Sequence, residues 1–111
     1  MNDPQATTET NPAIVRCCDA LARAYQDVFA CPEPNETDKD RETRARDAAI
    51  EGFRKAMPPL CGPDNIRNFI ACVAYGMLFE VFADAESRHL LYAAQVANSA
   101  RGRSDTLKPA A

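Results

Sequence analysis

Five cysteines and one histidine are the residues of this chain best suited to covalent chemistry: Cys17, Cys18, Cys31, Cys61, Cys72 and His89. A thiolate nucleophile needs a base within hydrogen-bond reach and a third group to orient that base. In an up-and-down arrangement of the helices set out below, Cys17, Cys18 and Cys61 gather at one end. His89, early in the last helix, falls at the other. That placement argues against a Cys–His dyad and brings Cys61 towards Cys17, a redox feature at most. The cysteines are odd in number and lack CxxC spacing, so they read as neutral packing residues.

Metal and phosphate chemistry find no better footing. Tetrahedral zinc wants closely spaced Cys and His pairs, which the single histidine does not provide. Di-iron bundles repeat Glu-x-x-His on facing helices, and no such repeat occurs. Phosphate and dinucleotide loops need clustered glycines, and the chain has four in all. The expectation is a non-enzymatic protein with no cofactor, no metal and no catalytic residue.

The elements that would carry these side chains are set by two proline-bearing loops, "CPEPNETD" and "PPLCGPD". A first helix should begin at Thr10 or Asn11 as N-cap, with Pro12 in its first turn, and run to about Ala30. Ile14, Cys18, Leu21, Tyr25, Val28 and Phe29 recur at steps of three and four, with Arg16, Asp19, Arg23 and Asp27 opposite. The second helix should open near Thr37 or Asp38 and close near Met57, before Pro58 and Pro59. Asp40–Arg44, Glu42–Arg46 and Glu51–Lys55 form acid-then-base pairs one turn apart. Ala45, Ala49, Phe53 and Ala56 form its thin apolar stripe. The third helix should start at "GPDN", with Asp64 as N-cap, and end around Phe82. A fourth should run from Asp84 to about Arg101, stopped by Gly102, with Leu90, Leu91, Ala94 and Ala97 inward. The predicted fold is all-α, a compact bundle of four helices forming one domain over 11–101. Residues 1–10 and 102–111 read as a flexible arm and tail.

The third helix is unusual because it is apolar nearly all round. On a helical wheel Ile66, Ile70, Val73, Met77 and Val81 line one face. Cys72, Tyr75, Phe79 and Phe82 line the other, with Asn68 among them. A helix at the edge of a bundle needs one such stripe. One with two must be enclosed by its own chain or share a face with another molecule. The first face is expected to pack on the first helix, and the aromatic face is either a second core layer or a recognition surface. Glu80 falls at the rim of the first face, either paired with an arginine or held for a partner's basic residue. Tyr75, Phe79, Phe82 and Glu80 are therefore the candidate partner-binding residues.

Charge and length narrow the remaining classes. Over 111 residues the formal net charge is −3, so no broad phosphate-binding surface is implied. Residues 1–40 hold eight acids and three bases, and 41–111 hold eight acids and ten bases. A helix-turn-helix around "PPLCGPD" would offer an apolar recognition helix with only Arg67 and Asn68 near its start, a poor reader of DNA. Phe69 to Phe82 as a helix spans about 21 Å, short of a hydrocarbon core of roughly 30 Å. The start, "MNDPQATTETNP", lacks the basic and apolar parts of a signal peptide. A cytoplasmic protein without nucleic-acid or membrane contact is expected.

The run "MPPLCGPDNIRNFIACVAYGMLFEVF" followed by "LLYAAQVA", within residues 57–97, resembles small uncharacterised helical proteins carried on bacterial plasmids and other mobile elements. The resemblance implies a genetic setting whose small proteins include stoichiometric inhibitors of host defence and plasmid-maintenance factors. It carries no catalytic residue to transfer. The resulting expectation is a protein-binding regulator or inhibitor whose partner is another protein. A homodimeric structural bundle and a small-ligand-binding or catalytic bundle stand as alternatives.

Overall fold

A computed structural model describes the backbone of residues 11–107 and the side chains of 11–100. The expected arm at 1–10 and the last residues of the expected tail, 108–111, lie outside the described residues. The protein is all-α: α1 spans Pro12–Phe29, α2 Asp38–Ala56, α3 Pro63–Leu78 and α4 Asp84–Leu107. Among the described residues there is no strand. The chain comprises two compact units, joined in sequence at Met57–Pro58. α1 packs with α2 in the first, and α3 with α4 in the second.

In the first unit the caps follow the sequence. Asn11 Oδ1 accepts from the backbone N–H groups of Ala13 and Ile14 at 3.0 and 3.3 Å, and Pro12 opens α1. Thr37 Oγ1 accepts from Asp40 N–H at 3.0 Å and starts α2. α2 ends as Met57 turns extended (φ −65°, ψ 147°), the conformation imposed on a residue preceding proline. The buried line of α1 is Ala13 and Cys17, while the larger Ile14, Cys18, Leu21, Tyr25 and Val28 are half-buried beside it. Small residues set the helix separation. A Cβ on Gly52 would stand 2.9 Å from the Ala20 carbonyl oxygen and 3.1 Å from Ala24 Cβ. Phe53, the next residue, is fully buried, and Ala45 and Ala49 are buried on the same helix.

A side-chain clasp closes the loop between α1 and α2. Arg44 Nε and Nη2 donate to the two Glu36 carboxylate oxygens at 2.7 and 3.0 Å, and Nη2 also donates to the Cys31 carbonyl at 3.0 Å. Glu33 N–H donates to the same carboxylate at 3.1 Å. The expected Asp40–Arg44 pair gives way to this one, because a guanidinium gains more from a two-pronged contact than from an exposed pair along the helix. Arg41 lies 4.5 Å above the Phe29 ring, which stacks on Tyr25 at 5.6 Å. Glu42–Arg46 and Glu51–Lys55 form as expected at 3.6 and 3.8 Å.

The second unit departs from the expected boundaries in three places. Gly62, at φ +86°, is the N-cap of α3 and offers no side-chain cap, so Asp64 sits inside the first turn instead. There its charge favours the positive end of the helix dipole. α3 stops at Leu78 rather than near Phe82. α4 continues past Gly102 to Leu107, since one glycine costs a helix only about 1 kcal/mol relative to alanine. Inward on α4, Ser87 and Ala94 are buried, with Leu90, Leu91, Ala93 and Ala97 half-buried.

Candidate protein-binding surface

The end of α3 decides which of its apolar residues remain accessible. Glu80 adopts the left-handed conformation at φ +58°. Its N–H donates to the Met77 carbonyl at 3.3 Å, and Val81 N–H donates to the Gly76 carbonyl at 2.7 Å. These two bonds make a Schellman terminus. Such a site usually carries glycine, because the conformation costs a residue with a Cβ about 1–2 kcal/mol. Here glutamate occupies it. The reversal sends Phe82 back onto α3, where its ring lies against Gly76: a Cβ there would meet Cδ2 and Cε2 at 2.6 and 2.8 Å.

The four candidate residues are thereby separated. Phe82 is buried at 4% exposure, a core residue of its own unit, and is withdrawn from the candidate surface. Glu80 is exposed but stands beyond the helix, so the rim position assigned by the wheel does not exist. Tyr75 and Phe79 remain together, their rings 4.5 Å apart and tilted by 33°. Tyr75 is half-buried and Phe79 is 63% exposed.

The apolar surface that α3 exposes is a different one. Ile66, Phe69, Cys72, Val73 and Gly76 are buried. On the opposite side Ile70, Ala74, Met77 and Leu78 are exposed, Leu78 by 79%. Steps of four from Ile70 to Ala74 to Leu78, and of three from Ala74 to Met77, place these four on one stripe. No charged residue occurs between Arg67 and Glu80, so the stripe is uncharged over its whole length. Sequence reasoning grouped Ile70 and Met77 with the packed face and passed over Ala74 and Leu78. The missing signal was the true end of α3, which moves Val81 and Phe82 off the wheel. On α4, Tyr92 and Val96 are also exposed.

The residues considered for covalent chemistry lie apart in character. Cys17 and Cys72 are buried, Cys18 is half-buried, Cys31 and Cys61 are exposed, and all five are free thiols. His89 is exposed on α4, one turn after the half-buried Glu86. Among the described residues no group of three or more His, Cys, Asp or Glu is placed to hold a metal ion, and no described helix is long and apolar enough to cross a membrane. Among the described residues a strongly perturbed carboxyl is that of Glu36. The hydrogen bond from Arg44, and then that from Glu33 N–H, lower it from an ordinary 4.5 to about 2. Its role is to hold the loop. Comparison with models of known protein families, with curated proteins and with solved structures finds no match to this chain.

Proposed function

We propose that this protein is a non-enzymatic protein-binding regulator, with the exposed stripe of α3 as its docking element. One observation carries the reading: α3 buries one apolar side in its own fold and presents a second, uncharged one to solvent. An exposed leucine or isoleucine alone is ordinary, but a contiguous, charge-free set on one helix face is what partner surfaces offer. The half-buried Tyr75 and exposed Phe79 add a tilted ring pair to the same end of the chain segment, and aromatic side chains dominate binding energy at interfaces. The partner class is another protein presenting an apolar face. A small protein of this kind fits the mobile-element setting implied by residues 57–97, acting as a stoichiometric inhibitor or accessory factor.

The test is capture from the bacterial host, followed by binding of the purified, identified protein to wild type and to Ile70→Glu/Leu78→Glu. Loss of binding by at least about 100-fold with unchanged helix content is expected, since both substitutions put charge where apolar contact is needed. Unchanged affinity in the double variant would remove α3 as the docking element.

A further inference from the structure

The turn between α3 and α4 is made of residues that ordinarily continue a helix or a strand. Residues 79–83, Phe-Glu-Val-Phe-Ala, join Leu78 to Asp84 with neither glycine nor proline. No proline occurs anywhere from 64 to 108. Glu80 is nonetheless held left-handed at φ +58°, where glycine is usual because a Cβ is penalised. What holds the turn is Phe82, buried over Gly76.

The two helices also share a phase. Ile66, Phe69, Val73 and Gly76 of α3 are buried, and Ser87, Leu90, Ala94 and Ala97 of α4 are buried or half-buried. Within each set the steps along the chain are three, four and three. If 79–83 were helical, Glu80 and Ala83 would carry that alternation across the gap without a break, in steps of four, three and four. A turn can join two helices at any phase, so a folded-back pair does not require this continuity. A single amphipathic helix does.

We infer that 79–83 is a hinge, whose opening makes α3 and α4 one helix over 63–107 and lets two opened chains exchange their α4 helices. The joined helix is about 67 Å long at 1.5 Å per residue. An opened chain by itself leaves Ile66, Phe69, Val73 and Leu90 without the cover that α4 and α3 give one another in the closed form. A second copy supplies the same cover, because it carries the same α4. Every contact between α3 and α4 is then regained except those of the hinge, which is why exchange of identical elements is a low-cost route to dimers. Opening moves Phe82 off the buried line and takes it from its seat on Gly76. It brings Glu80 from solvent onto that line, where an unpaired carboxylate is costly. Phe82 and Glu80 therefore keep the chain closed against the left-handed penalty, and the exchanged pair is the minor state of the wild type. The exposed stripe of Ile70, Ala74, Met77 and Leu78 lies off this line, so the hinge is independent of the docking role proposed above.

Sedimentation equilibrium on the full chain tests this, at concentrations up to about 1 mM, the weak end of specific association. An exchanged dimer contains two hinges, so each substitution acts twice. Glu80→Ala takes the carboxylate off the buried line and favours helix, and should raise the association constant at least about 100-fold over wild type. Phe82→Ala removes the group that holds the turn, and should raise it at least about tenfold. Glu80→Gly suits the turn and disfavours the helix, and should associate no better than wild type. Spin labels distinguish exchange from side-by-side association. They are placed at Arg67→Cys and Ser99→Cys in the Glu80→Ala chain, with Cys18→Ser, Cys31→Ser and Cys61→Ser, and the labelled chain is diluted in excess unlabelled chain. Residues 67 and 99 lie about 48 Å apart along one continuous helix and far closer when α4 folds back on α3. The expected result is a Glu80→Ala dimer with the long distance and with helix content by circular dichroism at or above that of wild type. A Glu80→Ala chain that stays at one chain mass overturns the inference, as does a dimer with the short distance or a loss of helix content. Glu80→Gly associating as strongly as Glu80→Ala, or association indifferent to Phe82→Ala, overturns it equally.

Discussion

Replacing Gly76 by alanine sets two known effects against each other, and the structure decides which wins. Alanine in a helix is worth about 0.8–1.0 kcal/mol over glycine, so on sequence alone Gly76→Ala should stabilise α3. The new methyl would, however, sit 2.6 and 2.8 Å from two carbons of the Phe82 ring, where ordinary carbon contacts are about 3.5–4.0 Å. The ring must retreat by about 1 Å. It is buried, and the Val81 N–H bond to the Gly76 carbonyl holds the chain segment that carries it. Overpacking of this kind costs about 1–3 kcal/mol. Taking about 2 against a gain of about 1, Gly76→Ala should destabilise by about 1 kcal/mol, lowering the melting temperature by about 4–8 °C. The decisive measurement is urea unfolding by far-UV circular dichroism in two backgrounds. With Phe82→Ala the obstruction is gone, and Gly76→Ala should now stabilise by about 1 kcal/mol, a reversal of sign and a coupling of about 2 kcal/mol. Phe82→Leu, which keeps more apolar volume, should show the same reversal in weaker form. A stabilising Gly76→Ala in the wild-type background would refute the packing of Phe82 on α3.

Two further outcomes follow from backbone and charge. Glu80→Gly should stabilise the monomer, measured at low micromolar concentration by urea unfolding, by about 0.5–1 kcal/mol: relief of the left-handed penalty of about 1–2 kcal/mol less the greater chain entropy glycine loses on folding. Glu36, held at about 2 by Arg44 and by Glu33 N–H, has a folded pKa below its unfolded one. Its contribution is therefore fully present above about 4.5 and is lost as pH falls through about 2. Glu36→Gln should flatten the stability–pH curve between those values, and unchanged acid sensitivity in thermal melts would count against the clasp.

The sequence by itself determined the all-α class, the four helices and the two breaks between proline-bearing loops. These follow from local rules: Asn11 and Thr37 satisfy the first N–H groups of their helices, and Met57 must extend because proline follows it. It also determined that the third helix is apolar on two sides, since periodicity and the absence of charge between Arg67 and Glu80 can be read directly. Only the tertiary structure decided which side is which. The end of α3 turned on a glutamate accepting a conformation that propensity assigns to glycine, a local cost set against the burial of Phe82 over Gly76, and neither propensity nor periodicity registers that balance. Once that reversal is made, Phe82 becomes core, Glu80 leaves the wheel, and Leu78 emerges at the rim of a stripe the periodicity had misassigned. Gly52 against Ala20 and Ala24 and Arg44 against Glu36 belong to the same class. Each is a contact outside the repeat of a single helix, Gly52 meeting another helix and Arg44 reaching eight residues back across the loop, and helical periodicity carries no information about which of those atoms will compete for the same space or the same charge.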